Sequence, residues 1–116
     1  MNETLQLRVE RDEKVGVLDV SGYINNMGGE QIADACNGMI DEGVHCFLID
    51  LSGCKIVNSI GISILIEIIE KVNELGGKLG FCCVTPTIAK TFRIMGLLQH
   101  CTIHDSREEG LQQVSS

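Results

Sequence analysis

One segment constrains this chain more than any other: an isoleucine-rich run between Ser59 and Leu75 that keeps a helical period. Ile60, Ile62, Ile64, Leu65, Ile66, Ile68, Ile69, Val72 and Leu75 are apolar, while Ser63, Glu67, Glu70, Lys71 and Glu74 recur at helical spacing as one polar stripe. Such a helix has to bury most of its circumference against other elements. Gly76-Gly77 stops it, because glycine takes the left-handed backbone that ends helices at little cost. Ser59 is predicted to be its N-cap, the residue whose side chain accepts a hydrogen bond from the first orphan amides. Immediately upstream, Cys46-Phe47-Leu48-Ile49-Asp50-Leu51 is a nearly continuous apolar run, as a strand flanked by parallel neighbours requires.

The remaining elements follow from the same periodicities. Leu5, Leu7 and Val9 alternate with polar residues and predict a half-buried strand. Arg11-Asp12-Glu13-Lys14 is a turn, and Val15–Val20 a second strand, antiparallel to the first. Ser21–Asn26 is predicted to be a loop. A helix from Gly28 or Gly29 to Asp41 carries Ile32, Cys36, Met39 and Ile40 on its apolar stripe, and Gly43 ends it. Lys78–Val84 is a strand, and Thr85-Pro86 opens a short helix with Ile88, Phe92 and Met95 inward. Cys101–His104 is an edge strand. Ser106 and Glu109 then form a capping box for a last helix with Leu111 and Val114 inward and a frayed Ser115-Ser116 tail. The expected fold class is α/β. It is a single domain over residues 1–116, with a mixed sheet of four to five strands, about four helices and the order β-β-α-β-α-β-α-β-α.

Composition excludes several functions. With a formal net charge of −7 and no basic cluster, the chain lacks the cations that nucleic-acid binding requires. No stretch reaches the roughly 18 to 20 apolar residues that span a bilayer. Met1-Asn2-Glu3-Thr4 is polar with no apolar run behind it, so no leader is expected and a soluble cytoplasmic location is. The six cysteines include no C-x-x-C pair. They are expected to be reduced, structural thiols, with adjacent Cys82 and Cys83 on opposite faces of their strand. His45, His100 and His104 belong to no motif, and there is no G-x-S-x-G, P-loop or G-x-G-x-x-G. No enzyme activity, cofactor or metal is expected.

Ser59 has two readings. It is a helix cap, or it is also a place to put a phosphate. A phosphate adds about −1.5 to −2 charges at neutral pH, which a helix N-terminus tolerates and a docked partner does not. Ile60 and Ile62 lie beside it as apolar contact surface.

Several stretches together resemble the STAS domain, the fold of bacterial anti-sigma-factor antagonists. They are Val20–Asn25, Leu48–Gly53, Asn58–Ile62, Leu75–Leu79, Val84–Pro86 and Met95–Leu97, in order and nearly end to end. The resemblance implies partner switching. The unphosphorylated antagonist binds an anti-sigma factor that is also a serine kinase and so frees the sigma factor. Phosphorylation dissociates the complex, and a phosphatase resets it. Ser59 then occupies the acceptor position, with Asn25, Asn58, Ile60, Gly61, Ile62 and Ser63 as the partner-binding set. Gly61 matches the motif glycine that lets the kinase backbone approach. The family's aspartate before the acceptor is Asn58 here, the small residue after it is Ile60, and the acidic residue of its G-x-[LI]-D loop is Asn25. Two alternatives stand beside this reading. One is a non-phosphorylated STAS scaffold of a stress-signalling complex, or an accessory subunit of a lipid transporter, with Ser59 only a cap. The other is a thiol enzyme using Cys82, Cys83 or Cys101. An exposed helix face also leaves a homodimer open.

Overall fold

In the computed structural model, which describes residues 5–115, five strands and four helices form an open sheet layered on both faces. The expectations placed on Met1–Thr4 and on Ser116 lie outside the described residues. The strands are β1 (Gln6–Asp12), β2 (Val15–Ile24), β3 (Cys46–Val57), β4 (Lys78–Cys82) and β5 (Thr102–His104). The helices are α1 (Asn26–Asp41), α2 (Ser59–Glu74), α3 (Pro86–Ile94) and α4 (Arg107–Ser115). Spatial order equals chain order, β1 to β5. Only the β1–β2 pair is antiparallel; the other three pairs are parallel.

Parallel strands laid down in sequence place their crossover helices on one face. The packing agrees. Ile32 and Cys36 of α1, Ile62, Leu65 and Ile69 of α2, and Ile88 and Phe92 of α3 share one core with Phe47, Ile49 and Phe81 of the sheet. The alternate residues Leu48 and Cys82 face the other way, where α4 closes a smaller core through Val114. This alternation is the period-two pleat of a strand buried on both sides. Phe81 and Phe92 meet with ring centroids 5.0 Å apart in a tilted arrangement.

Several boundaries depart from the sequence expectation. The strand expected to stop at Leu51 continues to Val57, and Ser21–Ile24 is strand rather than loop. These two extensions pair with each other, with register shifts at Asp19/Ser21 and Gly22/Tyr23. Gly22 supplies the φ of 99° at the second shift. Alternation is lost along both stretches, so neither reads as a strand by itself. Val9 and Met95, expected to point inward, are 46% and 43% exposed because each lies at a margin that no layer covers. Among the described residues no helix is long and apolar enough to cross a membrane.

Candidate functional site

The extended ends of β2 and β3 bring two helix N-termini side by side. Ile24 and Val57 are register partners, and each is followed at once by an asparagine and a helix. Asn25 Oδ1 accepts from Gly28 N at 2.8 Å, and Asn58 Oδ1 accepts from Gly61 N at 2.8 Å. The Asn58 amide in turn donates to the Ile24 carbonyl at 3.0 Å, tying the two caps together. A Cβ built on Gly29 would lie 3.4 Å from Gly61 Cα, so α1 and α2 approach closely just below their caps. Neither helix carries an acidic residue in its first turn, and both caps are neutral. Two positive dipole ends therefore stand together without a compensating carboxylate on either first turn.

The N-cap expected at Ser59 belongs to Asn58. Both residue types cap well, and β3 runs closer to the helix than the apolar run implies. Ser59 is the first helical residue, and its side chain is solvent-exposed. Ile60 beside it is 54% exposed, and Met27, at the matching place on α1, is 71% exposed. Ser63, one turn on, is exposed and donates its hydroxyl to the Ser59 carbonyl at 3.0 Å. Asn25 and Asn58 are half-buried, with their amide oxygens committed to capping.

Two residues of the expected contact set are buried. Ile62 is 1% exposed and packs in the core beneath the helix. Gly61 is also buried. Its missing side chain makes room for the Ile24 carbonyl oxygen, which a Cβ would approach to 2.4 Å.

Met27 is absent from the sequence-based contact set although a signal for it is present. Ile24-Asn25-Asn26-Met27-Gly28 and Val57-Asn58-Ser59-Ile60-Gly61 repeat one pattern: aliphatic, Asn, polar, aliphatic, Gly. A second omission is an ion-pair network under α4. Arg107 pairs with Asp19, with Glu10 at 3.3 Å and with buried Asp50 at 3.1 Å.

The cysteines are all free thiols. Burial pushes the Cys36 and Cys101 thiols up to about 12 from an ordinary 9.0, and it raises Cys82 with help from the charge on Asp50. Because the folded value is the higher one, these thiols favour the fold below pH 9.0, and that contribution is lost as pH rises toward about 12. The urea midpoint is accordingly expected to fall above about pH 9. At about pH 8, iodoacetamide is expected to label Cys36 and Cys101 more than about 100-fold more slowly in the folded than in the unfolded chain. Rapid labelling of Cys101 in the folded state would restore the thiol-enzyme alternative.

Known proteins of similar sequence share this fold. A family model described as the STAS domain matches residues 6–110. The anti-sigma F factor antagonist of Paenibacillus polymyxa is 21% identical over 115 residues, covering 95% of each chain. The crystal structure of an anti-sigma factor antagonist from Mycobacterium paratuberculosis superposes with a TM-score of 0.85 at 23% identity, over 100% of this chain and 98% of that one. The phosphorylated form of the Bacillus cell fate determinant SpoIIAA superposes with a TM-score of 0.70 at 19% identity, over 94% of this chain and 99% of that one.

Proposed function

The chain belongs to the STAS domain family, and from that premise we propose that it is an anti-sigma-factor antagonist whose docking surface is switched by phosphorylation of Ser59. The observation that carries the proposal is the exposed Ser59 residue at the first position of α2, next in sequence to exposed Ile60, on the helix end that is tied to the one bearing exposed Met27. Asn25, Asn58 and Ser63 frame this surface. The relatives named as anti-sigma factor antagonists supply the class of partner, an anti-sigma factor; that this partner is also a serine kinase is what the family resemblance implies.

The chemistry of the switch is simple. The γ-phosphoryl group passes from ATP to Ser59 Oγ, ADP leaves, and the hydroxyl proton is released. Within the free domain the dianion faces two uncompensated helix N-termini, a favourable setting. Within a complex it would have to shed its water against Ile60 and Met27, an apolar contact that offers nothing in return. Modification thus costs the complex more than the free protein. That difference drives release, after which a phosphatase restores the hydroxyl. The chain itself then serves as substrate and binding module in regulating transcription.

The test is direct. Incubation with the anti-sigma kinase of the source organism and ATP is expected to add one phosphate by intact mass, and Ser59→Ala is expected to abolish it. Absence of transfer from every such kinase, or phosphate retained in Ser59→Ala, would overturn the assignment and leave Ser59 as the first residue of a constitutive scaffold's helix.

A further inference from the structure

We propose that Asp50, Cys82 and Cys83 form a binding site for one thiophilic divalent cation of the zinc class. The site lies where the β3–β4 pairing ends, at the C-terminus of β4 and the middle of β3, on the sheet face covered by α4, and it departs from the expectation of no metal. Asp50 and Cys82 are direct register partners on adjacent parallel strands, so their side chains stand next to each other. Cys83 ought to point to the opposite face, as expected from the sequence. Instead its backbone turns left-handed, with φ 61°, just as β4 ends. That conformation is uncommon for a residue other than glycine, asparagine or aspartate. It brings the second sulfur round to the first. One ligand atom from each of the three residues lies within 4.8 Å of the other two, and among the described residues no other trio of His, Cys, Asp and Glu converges in this way. Around a four-coordinate zinc, bonds of about 2.0 to 2.3 Å put neighbouring ligand atoms about 3.5 Å apart. Two sulfurs and one oxygen suit a soft divalent ion, with a fourth position left for water.

The surroundings prepare the site. Asp50 Oδ1 accepts from the Ser52 amide at 2.9 Å, and Oδ2 accepts from Arg107 Nε at 3.3 Å and Nη2 at 3.1 Å. These three donors fix the carboxylate and leave one lone pair, on Oδ1, free, which is how outer groups orient metal ligands. Asp19 pairs with the same Nη2 of Arg107, and Glu10 accepts from Nη1. With three carboxylates against one guanidinium, the local charge is −2. Uptake of a divalent cation with release of two thiol protons leaves that charge unchanged, so metal binding requires no new buried charge. Cys83 is half-buried and gives the ion a way in, whereas Cys82 is fully buried.

Titrating the reduced full chain with Cd²⁺ in weak buffer tests the site. We expect one Cd²⁺ per chain, an ultraviolet sulfur-to-cadmium band, about two protons released per ion, and displacement by Zn²⁺. Cys83→Gly, which suits the left-handed backbone and so keeps the fold, is expected to weaken binding by more than about tenfold, as is Asp50→Asn. Cys46→Ser is expected to change nothing. No band at about 1 mM Cd²⁺, a band of unchanged strength in Cys83→Gly, or conversion of the two thiols to a disulfide without cation binding would overturn the proposal.

Discussion

Ser59→Asp is expected to lower affinity for the anti-sigma partner by more than about 100-fold, about 2.7 kcal/mol, while leaving the free domain as stable as before or slightly more so. The two effects have opposite signs because one carboxylate meets two environments. In the free protein it would sit in the first turn of α2, where no acid now stands, and gain about 0.3–1 kcal/mol from the helix dipole. In the complex it would be desolvated beside Ile60, at a cost of several kcal/mol for an unpaired charge. Ser59→Ala removes only a hydroxyl that makes no capping bond, since Asn58 does the capping, and should stay within about threefold of the parent. Calorimetric titration of the parent and both variants, together with urea melts of each, separates the contributions. An affinity unchanged by Ser59→Asp would show the serine to lie outside the contact.

Gly61→Ala should destabilise the domain by about 2–3 kcal/mol, although alanine is the better helix former by about 1 kcal/mol. Its Cβ would come to 2.4 Å from the Ile24 carbonyl oxygen and 2.9 Å from the carbonyl carbon, and backbone cannot swing aside as a side-chain tip can. Gly38 supplies the control. It lies in α1, is exposed, and a Cβ there would meet nothing within 4 Å. Gly38→Ala should therefore stabilise by about 0.5–1 kcal/mol. Opposite signs in urea unfolding would support a close fit of α2 against the end of β2. A neutral Gly61→Ala would mean that α2 can slide outward, and that Ser59 is not held in one position.

The contrast between these two glycines also shows what the sequence can and cannot reveal. Both interrupt an apolar helix in the same way, and only the approach of another strand distinguishes them. The α2 helix is legible because its isoleucines keep helical spacing over four turns. β3 is legible through Leu51, where the core covers both of its faces. Beyond that it pairs only with the end of β2, in a register shifted twice, and long-range pairing leaves no local mark. The cap is misplaced by one residue for this reason: Asn58 and Ser59 are equally good caps until the strand's end is known. Ile62 lies close to Ser59 in sequence, yet a helix turns it about 100° per residue into the core. Cys83 is the reverse case. Simple alternation sends it away from Cys82, and one left-handed residue brings it back.

The central claim is that a partner docks on the paired ends of α1 and α2 with Ser59 at its contact. The most direct measurement is hydrogen exchange of the full chain, free and saturated with its anti-sigma partner. Protection gained at residues 26–29 and 59–63, and lost again when Ser59 is phosphorylated, is the predicted result. Protection confined to the α4 face or the β1 edge, or a pattern at 26–29 and 59–63 that phosphorylation leaves unchanged, would contradict it.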